Sequence, residues 1–293
     1  MHPTIGMLGY GQMAQPIADV LRKAGYQVVV FARREEVRRR AQASGCRVVD
    51  APRKLQGADV MLDLLTDTTA TWDVLGEVGG LAEGLRPGQT IVDMTTSDPD
   101  ESRRLAEYLA SREVRYLDAP ITGGVAGAKV GQLVFMVGGD PAAYADIQPL
   151  LGHLSKACFY LGPTGSGHAM KLVHNQLSHS TFLATCEAVL LGRRLGLEAH
   201  TMIDVFNAGN ARSYATEVRF PKFILSGSYD AGATFDTVYK DISIVARKGR
   251  ELELELPITA ATLHHWEAGI ARGLGHEDYS TVLNAMEEAQ GRP

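Results

Sequence analysis

Cysteine is scarce, with three in 293 residues: Cys46, Cys158 and Cys186. They are odd in number, scattered and without the paired spacing of a metal site. That excludes a disulfide framework and fits small buried thiols in a reducing cytoplasm. Long apolar runs are missing too, and none is long enough to span a bilayer. The opening Met1-His2-Pro3-Thr4-Ile5 reads as the approach to a strand rather than as a signal peptide. Excess positive charge is also absent. A net charge of −5 gives no electrostatic case for binding nucleic acid or an anionic membrane. There are no repeats and no low-complexity tract.

What is present is the balance of a soluble globular protein, 45% apolar and 22% charged. The chain is too long for one ordinary core and suits two modest domains. Residues 1–162 alternate short apolar runs with amphipathic stretches, the rhythm of a parallel sheet flanked by helices. Strands are predicted over 5–9, 26–32, 59–65, 90–94, 114–118 and 133–137, and a first helix over 13–24, closed by Gly25. Asp98-Pro99-Asp100-Glu101 marks another helix start, with an acid at the N-cap and proline at the first helical position. After Gly162-Pro163 the strand signal fades. Residues 169–195 form one helical pattern, and the remainder of 163–293 breaks into shorter helices at Asn207-Ala208-Gly209-Asn210, Ser226-Gly227-Ser228 and Leu256-Pro257. The economical reading is an α/β Rossmann domain followed by an all-α domain, joined by a long helix over about 166–195.

Gly9-x-Gly11-x-x-Ala14 follows a strand and opens a helix, the context a dinucleotide fingerprint requires. The first glycine permits a tight turn, the second lets the backbone approach a pyrophosphate, and a small third residue lets helix and strand pack closely. The helix start adds N–H donors and partial positive charge. An NAD-preferring site usually ends its second strand in an acid. Here the strand runs into Ala32-Arg33-Arg34, with Glu35 and Glu36 only later. Two guanidiniums suit the 2′-phosphate of NADP, with NAD the alternative. The plainer reading is a solvated basic cluster, but positive charge at a helix start is unfavourable, and that misfit favours the phosphate.

Most lysines are solvated surface charges. Lys171 opens an apolar helical run, with Asn175 four residues on and on the same face. A lysine so placed passes a proton to a carbonyl when its surroundings lower its pKa toward neutrality. The stretch Asp118-Ala119-Pro120-Ile121-Thr122-Gly123-Gly124-Val125-Ala126-Gly127-Ala128 is too rich in small residues for a core strand. Its N–H groups around Gly123 and Gly124, with the Thr122 hydroxyl, suit an anion nest. On its own, a plain tight loop is the simpler reading.

Four motifs together resemble the β-hydroxyacid dehydrogenases, which include 3-hydroxyisobutyrate dehydrogenase, tartronate semialdehyde reductase and the short-chain semialdehyde reductases. They are Gly9-Tyr10-Gly11-Gln12-Met13-Ala14, Asp118-Ala119-Pro120-Ile121-Thr122-Gly123-Gly124, Gly165-Ser166-Gly167-His168-Ala169-Met170-Lys171 with Asn175, and Lys240-Asp241. They occur in the family's order, and the resemblance spans essentially the whole chain. It implies Lys171 as acid/base, Asn175 as a substrate-holding group, and Thr122, Gly123 and Gly124 around a substrate carboxylate. Leu64, Leu65 and Thr96 would line the nicotinamide half of the cofactor, and Lys240 would reach over from the helical domain and push the Lys171 pKa down. Arg33 aligns with the arginine of NADP-using members. The helical domain often mediates oligomerisation, so a homodimer or homotetramer is expected. Three departures stand out: His174 where asparagine is common, Thr122 in place of a frequent serine, and a spine helix made more polar by Gln176, Ser178 and His179.

The implied reaction is reversible hydride transfer between nicotinamide and a small carboxylate-bearing β-hydroxy acid or semialdehyde, in a cleft between the two domains. Substrate choice would rest on side chains such as Arg212, Phe235 and Tyr239. An imine reductase shares this architecture but usually lacks the lysine. A non-catalytic dinucleotide-binding scaffold would have no need to keep Lys171, Asn175 and Lys240 together, and a decarboxylating 6-phosphogluconate-type enzyme is usually longer. The histidines do not suggest a metal site: His174 and His179 lack a convergent third ligand, and His264-His265 cannot both face one centre. His168 could carry a second proton, but a histidine at a helix start is more often a cap or a surface group.

Overall fold

A computed structural model describes residues 2–76 and 80–291, which divide into one unit from Met1 to Lys171 and another from Leu172 to Pro293. In the first, β1 (Ile5–Leu8), β2 (Val28–Phe31), β3 (Arg47–Val49), β4 (Val60–Asp63), β5 (Thr90–Asp93) and β6 (Arg115–Asp118) form a parallel sheet in the order 3-2-1-4-5-6. Helices α1 (Ala14–Lys23), α2 (Glu35–Ala43), α3 (Thr68–Gly76) and α4 (Pro99–Ala110) connect its strands. After β7 (Ile121–Thr122) and α5 (Gly124–Lys129), β8 (Leu133–Gly139) runs antiparallel to β6 and β7, and α6 (Pro141–Gly152) leads to β9 (Ser155–Tyr160), parallel to β8.

Burial on both faces explains the uninterrupted apolar strands. In β2, Val28 and Val30 join one core with Ile17 and Leu21 of α1, while Val29 and Phe31 join the other with Leu105 and Leu109 of α4. The predicted strands and first helix sit where the apolar runs put them, most trimmed by a residue or two, while β8 runs two residues past the predicted 137. The sheet is not purely parallel, because β8 pairs antiparallel with both β6 and β7. At the start of α4 the Asp98 carboxylate accepts from Asp100 N at 2.8 Å, as its sequence suggested.

The second unit is helical. It holds most of α7 (Ser166–Arg194), followed by α8 (Ala199–Ala208), a π-helical segment Ala215–Ile224, α9 (Phe235–Glu251), α10 (Pro257–Ala271) and α11 (Val282–Ala289). Its core centres on Trp266, fully buried, with the ring of Phe235 edge-on at 5.1 Å. Gly269 lies under Phe235, where a side chain would strike the ring. Arg219 is buried with its guanidinium over Phe182 and Tyr279, at 4.9 and 5.2 Å from the ring centroids, and it donates to Ser178 O and Oγ. Aromatic faces stabilise a cation of this kind electrostatically.

Two glycines test the packing differently. A Cβ on Gly167 would lie 2.4 Å from both Asp118 O and Met136 O, whereas a Cβ on Gly11 would meet nothing within 4 Å. Backbone carbonyls cannot swing aside, so Gly167→Ala is expected to lose roughly 1–3 kcal/mol of stability. Gly11→Ala should unfold close to wild type without cofactor. Thermal unfolding of the two variants checks this, and equal losses would contradict it.

Candidate active site

The turn after β1 has the form of a dinucleotide cradle. Gly9 adopts a φ of +87°, and a side chain there would crowd Leu64 O and Leu65 Cδ2, each 3.2 Å from its Cβ position. Gly11 has no such reason to be glycine. It has no left-handed φ and no neighbour for a Cβ to meet, so its lack of a side chain keeps open a space outside the protein. Ala14 is buried at the start of α1, where Met13 offers no side-chain cap and no acid enters the first turn. Open N–H groups and open space at a helix start fit a pyrophosphate. Tyr10 is buried, its carbonyl accepting from Arg40 Nη2 at 2.8 Å, while Gln12 is exposed. Leu64, Leu65 and Thr96 are half-buried in the loops after β4 and β5.

Arg33 and Arg34 are exposed where β2 gives way to α2. The two acids that follow are matched within the same segment. Arg34 lies 3.4 Å from Glu36, and Arg38 and Arg39 reach Glu35 at 2.7 and 3.1 Å, holding its carboxyl below the ordinary range. The Arg38 guanidinium also donates to Arg33 O at 3.3 Å. The rim therefore keeps more positive than negative charge.

Three neighbouring strands, β4, β5 and β6, each end in a fully buried aspartate, and register sets Asp63 beside Asp93 and Asp93 beside Asp118. Asp63 accepts from Leu65 N at 3.0 Å and Thr71 Oγ1 at 2.5 Å. Asp93 accepts from Thr95 N at 2.9 Å and the Tyr116 hydroxyl at 2.7 Å. Asp118 reaches farther along the chain, accepting from Gly165 N at 2.8 Å and His168 N at 2.9 Å at the start of α7. Burial and the charge of Asp93 push Asp63 up to about 8. Burial also raises Asp118, opposed by the nearby His168 and by its two backbone N–H donors. The sequence held a signal for this row, an acid closing each apolar run (Leu62-Asp63, Val92-Asp93, Leu117-Asp118), which motif reading passed over.

His168 is fully buried, so the expectation of a cap or surface group is corrected. Its Nε2 lies 3.2 Å from Thr95 O and its Nδ1 2.6 Å from Ser102 Oγ. A carbonyl only accepts, so Nε2 donates to Thr95 O. One turn on, the buried Lys171 donates from Nζ to Ile121 O at 2.7 Å. That carbonyl immediately precedes Thr122, Gly123 and Gly124. Gly123 and Gly124 take φ values of +121° and +61°, conformations that favour glycine, and both are exposed. The first unit thus brings the lysine to the glycine-rich loop.

In the second unit, Asn175 is buried and its amide is fixed from both ends. Nδ2 donates to Asp241 Oδ2 at 2.6 Å, and His174 Nδ1 lies 3.1 Å from Oδ1. Lys240 pairs with Asp241 Oδ1 at 2.9 Å. Sequence reading named Asn175 and Lys240 and did not foresee that Asp241 joins them. Arg212, exposed, pairs with Glu217 at 3.0 Å.

Comparison with known proteins places both parts of the chain among known dehydrogenases. Residues 4–162 match the family model for the NAD binding domain of 6-phosphogluconate dehydrogenase. Residues 165–286 match the model described as NAD-binding of NADP-dependent 3-hydroxyisobutyrate dehydrogenase. The chain is 34% identical over 288 residues to 2-(hydroxymethyl)glutarate dehydrogenase of Eubacterium barkeri, covering 98% of this chain and 96% of that protein. It is 29% identical over 290 residues to the chloroplastic glyoxylate/succinic semialdehyde reductase 2 of Arabidopsis thaliana, covering 99% of this chain and 81% of the relative. A Mycobacterium tuberculosis 3-hydroxyisobutyrate dehydrogenase structure with L-serine matches with a TM-score of 0.87 at 25% identity, covering 98% of this chain and 99% of that one.

The raised Asp63 carboxyl has a consequence for stability. In the unfolded chain an aspartate ionises near pH 4, whereas in the folded protein Asp63 keeps its proton to about 8. The unfolded state therefore binds fewer protons across that window. Its contribution to stability is complete below about pH 4 and is lost as pH rises toward 8. Asp63→Asn removes the ionisation, so the variant's melting temperature relative to wild type should climb between pH 5 and pH 8. A difference independent of pH would contradict the assignment.

Proposed function

The chain belongs to the β-hydroxyacid dehydrogenase family, and from that membership we propose that it is an NADP-dependent oxidoreductase acting on a small carboxylate-bearing β-hydroxy acid or the matching semialdehyde, with Lys171 as the proton donor and acceptor. Bound nicotinamide supplies the hydride chemistry. The chain's residues bind, orient and move the proton. Gly9, Tyr10, Gly11, Gln12, Met13 and Ala14 hold the pyrophosphate, Arg33 and Arg34 the 2′-phosphate, and Leu64, Leu65, Thr96 and Lys240 the rest of the cofactor. Thr122, Gly123 and Gly124 receive the substrate carboxylate, and Asn175 orients the substrate. In reduction the Lys171 ammonium protonates the oxygen forming on the reacting carbon; in oxidation the neutral amine removes the hydroxyl proton.

One observation carries this reading: Lys171 is largely buried and its amine is tethered at 2.7 Å to the carbonyl just before the Thr122-Gly123-Gly124 loop. A solvated surface lysine has no such tether. The names of relatives support the substrate class, with one acting on a hydroxymethyl dicarboxylic acid and another on glyoxylate and succinic semialdehyde. An assay of NADPH oxidation with glyoxylate, succinic, tartronate and methylmalonate semialdehydes and cyclic imines, together with NADP⁺ reduction by 2-(hydroxymethyl)glutarate, tests the class. Turnover of the imines alone would overturn it.

Lys171→Ala should leave NADPH affinity nearly intact and cut turnover by roughly 10²–10⁴-fold. Lys171→Arg should fail almost as badly, because guanidinium holds its proton near neutral pH. Asn175→Ala should lose less. Near-normal rates in all three would make Lys171 a bystander.

Cofactor preference rests on the rim at Arg33 and Arg34, where the nearby acids are matched by Arg34, Arg38 and Arg39. NADP(H) is expected to bind more tightly than NAD(H), and Arg33→Ala should narrow the gap by weakening the phosphorylated form only. Titration of each dinucleotide checks this, and equal affinities in the intact protein would contradict it.

Assembly is inferred from exposed apolar side chains in the second unit, with Val173, Leu177 and Leu191 of α7 and Leu195 just after it more than half exposed. Faces of this kind on soluble chains mark contact surfaces. A homodimer or homotetramer is expected by light scattering at micromolar concentration, and a monomer mass would count against it.

A further inference from the structure

We infer that Asp118 and His168 are positioning residues for Lys171: they fasten the first turn of α7 so that the amine is held at the Ile121 carbonyl. The inference rests on the proposed role of Lys171 as proton carrier.

Two attachments hold that turn. The Asp118 carboxylate, at the end of β6, accepts from Gly165 N and His168 N, while the His168 ring bridges Thr95 O and Ser102 Oγ on the loop and helix that follow β5. A carboxylate at a helix start is also favoured by the helix dipole. The contact is close because Gly138 and Gly167 lack side chains: a Cβ on Gly138 would lie 2.7 Å from Asp118 Oδ1 and one on Gly167 3.0 Å from Oδ2. All of these groups are buried, so no water is at hand to replace a lost partner. Lys171 stands one turn beyond His168, and a shift of the turn moves the amine with it. Misplacing a catalytic group by about 1 Å can cost on the order of 100-fold in rate.

Four variants test this alongside Lys171→Ala. Asp118→Asn keeps the shape but sets an amide against N–H donors. His168→Leu removes both ring contacts, His168→Gln keeps a donor for Thr95 O, and Ser102→Ala removes only the hydroxyl and is the mildest should Asp118→Asn not fold. Measured well below each variant's melting temperature, Asp118→Asn and His168→Leu should lower kcat about 10–100-fold with NADPH affinity within about twofold of wild type. Ser102→Ala should show a smaller loss, and His168→Gln should recover much of the His168→Leu loss. Amide hydrogen exchange over 165–171 should speed up in the same order as kcat falls. Lowered melting temperatures with wild-type kcat in these variants, while Lys171→Ala is inactive, would overturn the positioning role and leave the function standing. An active Lys171→Ala would overturn both.

Discussion

The carboxylate of Asp118 ties the end of β6 to the first turn of α7. Backbone N–H groups at a helix start have no partner within the helix, and in a buried position each must be satisfied or the helix cannot begin there. Asp118 satisfies two of them with one side chain. From that point the helix axis is set, and Lys171 follows one turn later. Asp63 and Asp93 close their own strands more locally, each turning back to the N–H two residues on. The row of three buried acids is thus a consequence of three adjacent parallel strands ending at one edge of the sheet. Burial raises the carboxyls of both Asp63 and Asp118 above the ordinary range.

The second unit uses the same device in a smaller form. Asn175 has an amide that could point either way, and Asp241 below with His174 beside it fix one orientation. Lys240 balances the Asp241 charge at 2.9 Å, so the buried acid is paired as well as hydrogen-bonded. His174 keeps a donor toward Asn175. In both units a buried carboxylate orients the group proposed to touch substrate.

Much of this was legible in the sequence because its signals are local. Apolar runs gave most of the strands, the glycine fingerprint gave the turn after β1, and Asp98-Pro99 gave the start of α4. The short strands Arg47–Val49 and Ile121–Thr122 were missed, since two or three residues cannot display a period. Ser155–Tyr160 was missed because its mixed, partly exposed face alternates poorly. His168 was misjudged for a different reason. Its burial depends on Ser102, Thr95 and Asp118, which lie 50 to 73 positions away along the chain. Lys171 could be named from spacing, but its tether to Ile121 needed the loop's actual path.

The most direct test of the central claim is a crystal structure of the protein with NADP⁺ and a bound β-hydroxy acid. The account predicts Lys171 Nζ within about 2.6–3.2 Å of the hydroxyl oxygen on the reacting carbon, with Asp118 still joined to Gly165 N and His168 N. A substrate whose hydroxyl meets another side chain, with Lys171 turned away from it, would contradict the account.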